Sequence, residues 1–173
     1  MARTILNHIA RFIFMITIQV LVVNRLDLFD GLLLPFIYIH ALLMLPFETP
    51  GWMRLLIAFF TGLVVDGFMD TAGLHASACV WMVFVQIALQ KLLAPREGYE
   101  YGQRPTIQSQ GMRWYLVYAG VLAFLFHLWL FLAELFRFST FFQTSFKALI
   151  SAIAALLLLI LAQFLSLKPR STN

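Results

Sequence analysis

Charge is what this chain has least of. Charged residues fill 12% of its 173 positions, against about 25% in an ordinary soluble domain. They are also clustered, which leaves long stretches with none. Hydrophobic residues make up 62%, and mean hydropathy is +0.88. This excludes a soluble core and implies a multispanning membrane protein. Cysteine is nearly absent. The single Cys79 lies in an apolar run, so no intramolecular disulfide and no cysteine metal site can form, and it reads as a small buried residue. Also missing are a nucleophile elbow, a P-loop, a zinc-protease helix and a carboxylate pair with a metal cage. His8, His40, His75 and His127 are scattered and give no H-x-x-x-H pair. No catalytic residue, cofactor or metal is therefore expected, and the chain is read as non-enzymatic. No Ala-x-Ala site follows the first apolar stretch, where Val22-Val23-Asn24-Arg25 stands, so that stretch is expected to remain as a span. The longest polar segment, 94–113, holds Pro95, Gly98, Gly102, Pro105 and Gly111 and reads as a loop rather than a domain.

What is there is a series of apolar runs. The expected architecture is all-α, one polytopic membrane domain with six spans at about 9–24, 32–46, 52–70, 74–93, 114–136 and 145–167. The second is short. Its 15 residues reach only ~22 Å against a hydrocarbon core of ~30 Å. Positive charge supports counting it. With six spans and the N-terminus inside, the cytoplasmic side holds Arg3, Arg11, Arg54, Lys91, Arg96, Arg104, Arg113, Lys168 and Arg170. The outer side holds Arg25, Arg137 and Lys147, a ratio of nine to three. A five-span chain with its N-terminus outside gives eight to four. The six-span topology, with both termini cytoplasmic, is preferred. The net charge of +4 sits at segment ends and is no nucleic-acid signal. Trp52 and Trp114 fall at span ends as interfacial anchors, and Arg54 is placed to snorkel toward water.

The chain is organised around Ala58 to Trp81, an apolar run that carries Asp66 and Asp70, turns at Asp70-Thr-Ala-Gly-Leu-His75 and becomes apolar again. An acid at mid-span costs about 2.5–3.5 kcal/mol on insertion scales, so Asp66 should face protein or a polar cavity. Asp66 and Asp70 are four apart and share a helix face. Gly62 lies on that face too, where it lets another helix approach closely. The favoured role for Asp66 is structural, holding the turn from Thr71 to His75; a binding or relay role is the competitor. His127 and Glu134, seven apart, share a face, and Arg137 can pair with Glu134. His40 lies inside the second span. These groups are read as intramembrane polar contacts. Ala148, Ser151, Ala152 and Ala155 form a small-residue stripe for helix packing. Phe136, Phe138, Phe141, Phe142 and Phe146 cluster near one interface, as membrane anchors or as an apolar docking surface.

Thr61-Gly-Leu-Val-Val-Asp66 followed by Thr71-Ala-Gly-Leu-His-Ala76 resembles the signature of the MreD family of rod shape-determining proteins. Gln19-Val-Leu, Leu33-Leu-Pro-Phe-Ile-Tyr-Ile and Leu93-Ala-Pro-Arg-Glu-Gly-Tyr99 extend that resemblance along nearly the whole chain. It implies a compact six-helix bundle similar to the S component of energy-coupling-factor transporters. It also implies a scaffold in the bacterial inner membrane that binds MreC, within a complex of MreB, a SEDS glycosyltransferase and a class B penicillin-binding protein. The motif positions it carries over are Gly62, Asp66, Gly73, Leu74 and His75. A second expectation is a substrate-binding transporter subunit. The Ala-x-x-x-Ala docking stripe of S components is missing, since residues 9–24 contain only Ala10. A third is an intramembrane enzyme in which His127, Glu134 and Asp66 converge as an acid–base site.

Overall fold

The computed structural model describes residues 17–19, 34–135 and 141–165. The expected first span, the connection with Arg25, Asp27 and Asp30, the residues Phe136 to Thr140 including Arg137, and the tail after Leu165 lie outside them, apart from a helical 17–19. From residue 34 on, the described residues form six helices: α1 Ile39–Leu43, α2 Gly51–Met69, α3 Leu74–Leu92, α4 Ile107–Gln110, α5 Met112–Leu135 and α6 Phe141–Leu165. No strand occurs among the described residues. Among the described residues, three helical stretches are long and apolar enough to cross a membrane: Gly51–Met69, Met112–Glu134 and Phe141–Leu165. α3 equals α2 in length at 19 residues but carries His75, Gln86, Gln90 and Lys91, which lower its hydropathy.

The long helices pack in sequence, α2 on α3, α3 on α5 and α5 on α6. They share a largely apolar core, but their outer surface and the polar side chains inside set them apart from a soluble bundle. Outward-facing positions are large and apolar, among them Phe60, Phe68, Phe84, Phe142 and Leu157. Inward-facing positions include Gln19, His40, Arg54, Asp66, His75, Gln86, Gln90, His127, Ser151 and Gln163, all buried. Water would favour the reverse arrangement, because soluble proteins rarely expose a contiguous apolar surface beyond a few hundred Å². In hydrocarbon the polar side chains must find partners inside. The chain is a membrane protein.

Several boundaries differ from expectation. The described part of 32–46, residues 34–46, is not a continuous helical span. Within them the helix covers only Ile39–Leu43, and the described residues before it, Leu34 to Phe36, are non-helical. The cause is local and tertiary together. Pro35 supplies no N–H, and the free backbone groups around it are taken up by side chains of other helices. Asp70 does not share the setting of Asp66. α2 ends at Met69, Asp70 turns left-handed at φ 54°, and its side chain is exposed. Of the expected link Phe138 to Thr144, the part from Phe141 on already belongs to α6, and the 94–113 loop carries α4, whose N-terminus is held by a Thr106–Ser109 capping box. Along α6, Ala148, Ser151, Ala152 and Ala155 are all buried.

Candidate functional site

The join between α2 and α3 is built by one side chain. α3 has Gly73 at its N-cap, at φ 84°, so no side chain there can accept from the first free N–H groups. Asp66 does so from the neighbouring helix. Its Oδ1 accepts from the His75 N–H at 2.9 Å and its Oδ2 from the Ala76 N–H at 2.9 Å. These are the two positions an N-cap side chain normally serves. The Thr71 hydroxyl donates to Oδ1 at 2.5 Å. The Asp66 carbonyl meanwhile closes α2, accepting from the N–H of Asp70 and, at 3.1 Å, from that of Thr71. This is a left-handed C-terminal closure with Asp70 at its αL position, joining the 5→1 bond of the αL motif to the 6→1 bond of a Schellman turn, a conformation Asp tolerates better than most residues. One residue therefore ends one helix and starts the next. Asp66 is 4% exposed, and its carboxylate also meets the positive end of the α3 dipole.

Gly62 makes this approach possible. A Cβ there would lie 2.3 Å from Ala76 Cα and 2.5 Å from both Ala76 N and His75 O. Leu74 packs against the core and His75 is buried. Thus Gly62, Asp66, Gly73, Leu74 and His75 converge on one joint. From His75 the polar contacts run inward. Its Nδ1 meets the Tyr38 hydroxyl at 2.9 Å, and that hydroxyl lies 3.6 Å from Cys79 Sγ.

Tyr38 lies just after the non-helical stretch, whose backbone is held by three side chains through four hydrogen bonds. The Leu34 N–H donates to Ser151 Oγ at 3.1 Å, the Phe36 N–H to His127 Nε2 at 3.4 Å, and the Ile37 N–H to Gln19 Oε1 at 2.7 Å. Gln19 Nε2 donates to the Pro35 carbonyl at 3.4 Å. Non-helical backbone at membrane depth survives only with such partners. His127 Nδ1 lies 2.7 Å from the Ala123 carbonyl, which fixes the ring as the tautomer protonated on Nδ1 and leaves Nε2 as the acceptor. His127→Phe keeps a ring against Phe36 but orphans that N–H. The expected loss is about 1–3 kcal/mol, read by thermal unfolding in detergent. Glu134 is exposed while His127 is fully buried, so the two are not brought together, and Arg137 lies outside the described residues. His40 is buried, with its Nε2 3.2 Å from Gln163 Nε2 as donor.

A second polar cluster, which the sequence reading missed, lies where α2 begins and α3 ends. Arg54 does not snorkel. It is 4% exposed and turned inward. Its Nε donates to the Thr49 carbonyl at 2.8 Å, its Nη2 to the carbonyls of Pro46 at 3.1 Å and Phe47 at 2.5 Å, and its Nη1 to Gln90 Oε1. Gln90 and Gln86 both donate to the Tyr118 hydroxyl, at 3.1 and 2.6 Å, and that hydroxyl donates to the Leu43 carbonyl at 2.9 Å. Tyr99 in the loop stacks on Phe47 at 3.7 Å and donates to the Gln90 carbonyl at 2.8 Å. Burial pushes its hydroxyl pKa above the usual tyrosine value, which keeps it a donor. The spacing of Gln86 and Gln90, four apart in an apolar helix, is the signal that could have found this cluster. Comparison of the chain with protein-family models, with curated proteins and with solved structures finds no match.

Proposed function

We propose that this chain is a non-enzymatic scaffold of the MreD type. In this reading it crosses the bacterial inner membrane six times, the stretch that holds α1 counting as a crossing that is not one continuous helix, with both termini cytoplasmic, and binds MreC within the wall-elongation complex. The observation that carries it is the use made of the motif acid. Asp66 accepts from Thr71, His75 and Ala76, so its capacity is spent on holding two helices in one geometry. That suits a protein that presents a fixed surface better than one that turns over a substrate. The motif residues Gly62, Asp66, Gly73, Leu74 and His75 meeting at one joint support the same reading, as does the apolar outer face of α2, on which a single-span partner could pack. The resemblance itself stands on the residues of the chain.

The second reading, a substrate-binding transporter subunit, draws on the non-helical residues Leu34 to Phe36 inside the bundle, since transporters build their sites from discontinuous helices. Here, however, the N–H groups of Leu34, Phe36 and Ile37 already have side-chain partners. The test is recovery of the tagged chain from native membranes in mild detergent. A single-span MreC-type protein should come with the wild type and be reduced severalfold with Asp66→Leu at matched protein level. A stoichiometric small molecule recovered without any membrane partner would overturn the scaffold reading and support the transporter.

A further inference from the structure

We infer that the cleft beside Arg54 is a binding site for a phosphate-bearing anion, as carried by an acidic lipid headgroup or a small phosphorylated metabolite. The cleft encloses about 410 Å³ and is lined by Arg54, Gln90, Lys91, Tyr99, Phe47 and Thr49, among others. That lies within the ~300–1,000 Å³ of small-ligand sites.

Charge decides the class of ligand. The Arg54 guanidinium is buried, and its partners are all neutral: the carbonyls of Pro46, Phe47 and Thr49 and the side-chain oxygen of Gln90. Among the described residues no carboxylate pairs with it. Glu48, six positions away, instead accepts from the Gly102 N–H at 2.7 Å. Carbonyl dipoles solvate a cation but leave its charge uncancelled, and a buried unpaired charge costs several kcal/mol. Those contacts use four of the five guanidinium N–H groups, so one on Nη1 remains for a ligand. Lys91, exposed on the same cleft, adds a second positive charge. One free arginine N–H beside a lysine point charge gives phosphate oxygens a charge-assisted donor and a second positive charge. The stacked rings of Phe47 and Tyr99 and the side chain of Ile87 give the cleft an apolar wall.

Depth favours the lipid source. The cleft lies at the start of α2 beside Trp52, which is 64% exposed, and exposed tryptophans mark headgroup level in membrane proteins. The inference is independent of which protein partner the scaffold holds.

The test is thermal unfolding of the purified full chain in neutral detergent, followed by tryptophan fluorescence. Three compounds are titrated: a short-chain phosphatidic acid, the diacylglycerol with the same acyl chains, and inorganic phosphate. Phosphatidic acid should raise the unfolding temperature saturably and diacylglycerol should not. Lys91→Glu, at an exposed position that leaves the fold intact, should weaken the apparent affinity about tenfold or more. A response to phosphatidic acid alone identifies the lipid headgroup, and an equal response to inorganic phosphate identifies a soluble anion; both support the site. Equal responses to phosphatidic acid and diacylglycerol, or a Lys91→Glu response matching wild type, would overturn it.

Discussion

Asp66→Leu should lower the unfolding free energy by between about 2 and 5 kcal/mol. The lower end takes the modest worth of interhelical hydrogen bonds measured in membranes, about 0.6 kcal/mol each. The upper end takes the low figure for hydrogen bonds to a charged group, about 1.5 kcal/mol each. The higher end is expected, because His75 and Ala76 keep their N–H groups in place at the start of α3 with no other acceptor supplied by Gly73. Leucine is apolar and near in size, so the loss is one of acceptors rather than of volume. Asp66→Asn should fall between, since it retains one oxygen but turns an amide N–H toward a backbone N–H. Both variants are read by denaturant titration in mixed micelles.

Gly62→Ala should be as damaging, for a different reason. The added methyl would stand 2.3 Å from Ala76 Cα. The atoms it meets are backbone, so no rotamer change relieves the clash and α2 and α3 must separate by about 1 Å. Overpacking a core usually costs about 1–3 kcal/mol. Here separation also stretches both bonds from Asp66 to α3, so the loss should reach or exceed about 3 kcal/mol. Gly67 supplies the control on the same helix. A Cβ there meets nothing within 4 Å, and alanine is the better helix former by about 0.5–1 kcal/mol. Gly67→Ala should be neutral or stabilising. Two identical substitutions five residues apart should therefore move stability in opposite directions, which a general glycine effect on helix propensity does not allow.

The parts of this structure written in local pattern were legible in the sequence. Scarce charge and apolar runs gave the membrane class, and Gly62 four residues before Asp66 gave a close-approach face beside an acid. The turn at Asp70 to Gly73 was visible in residue types that accept left-handed backbone. What escaped depends on partners far away in the chain. Residues 32–46 look like a short span because they are apolar; what makes Leu34 to Phe36 stable without a helix is Ser151, more than a hundred positions later, and His127. Ser151 was legible as a small contact residue but not as an acceptor. Arg54 at a helix start is equally consistent with snorkelling and with turning inward. The choice is made by three carbonyls from the preceding turn and by Gln90 on another helix.

The central claim is that the Asp66 carboxylate holds the α2–α3 joint through direct bonds. A double-mutant cycle between Asp66→Leu, which leaves no acceptor, and Thr71→Val tests it most directly, because the Thr71 hydroxyl donates to Asp66 Oδ1 at 2.5 Å. Unfolding free energies of the wild type, both single variants and the double variant should give a coupling of about 1 kcal/mol or more, since residues in one hydrogen-bond network couple by about 0.5–3 kcal/mol. Strictly additive losses would mean that the two side chains do not touch, and the capped joint would be wrong.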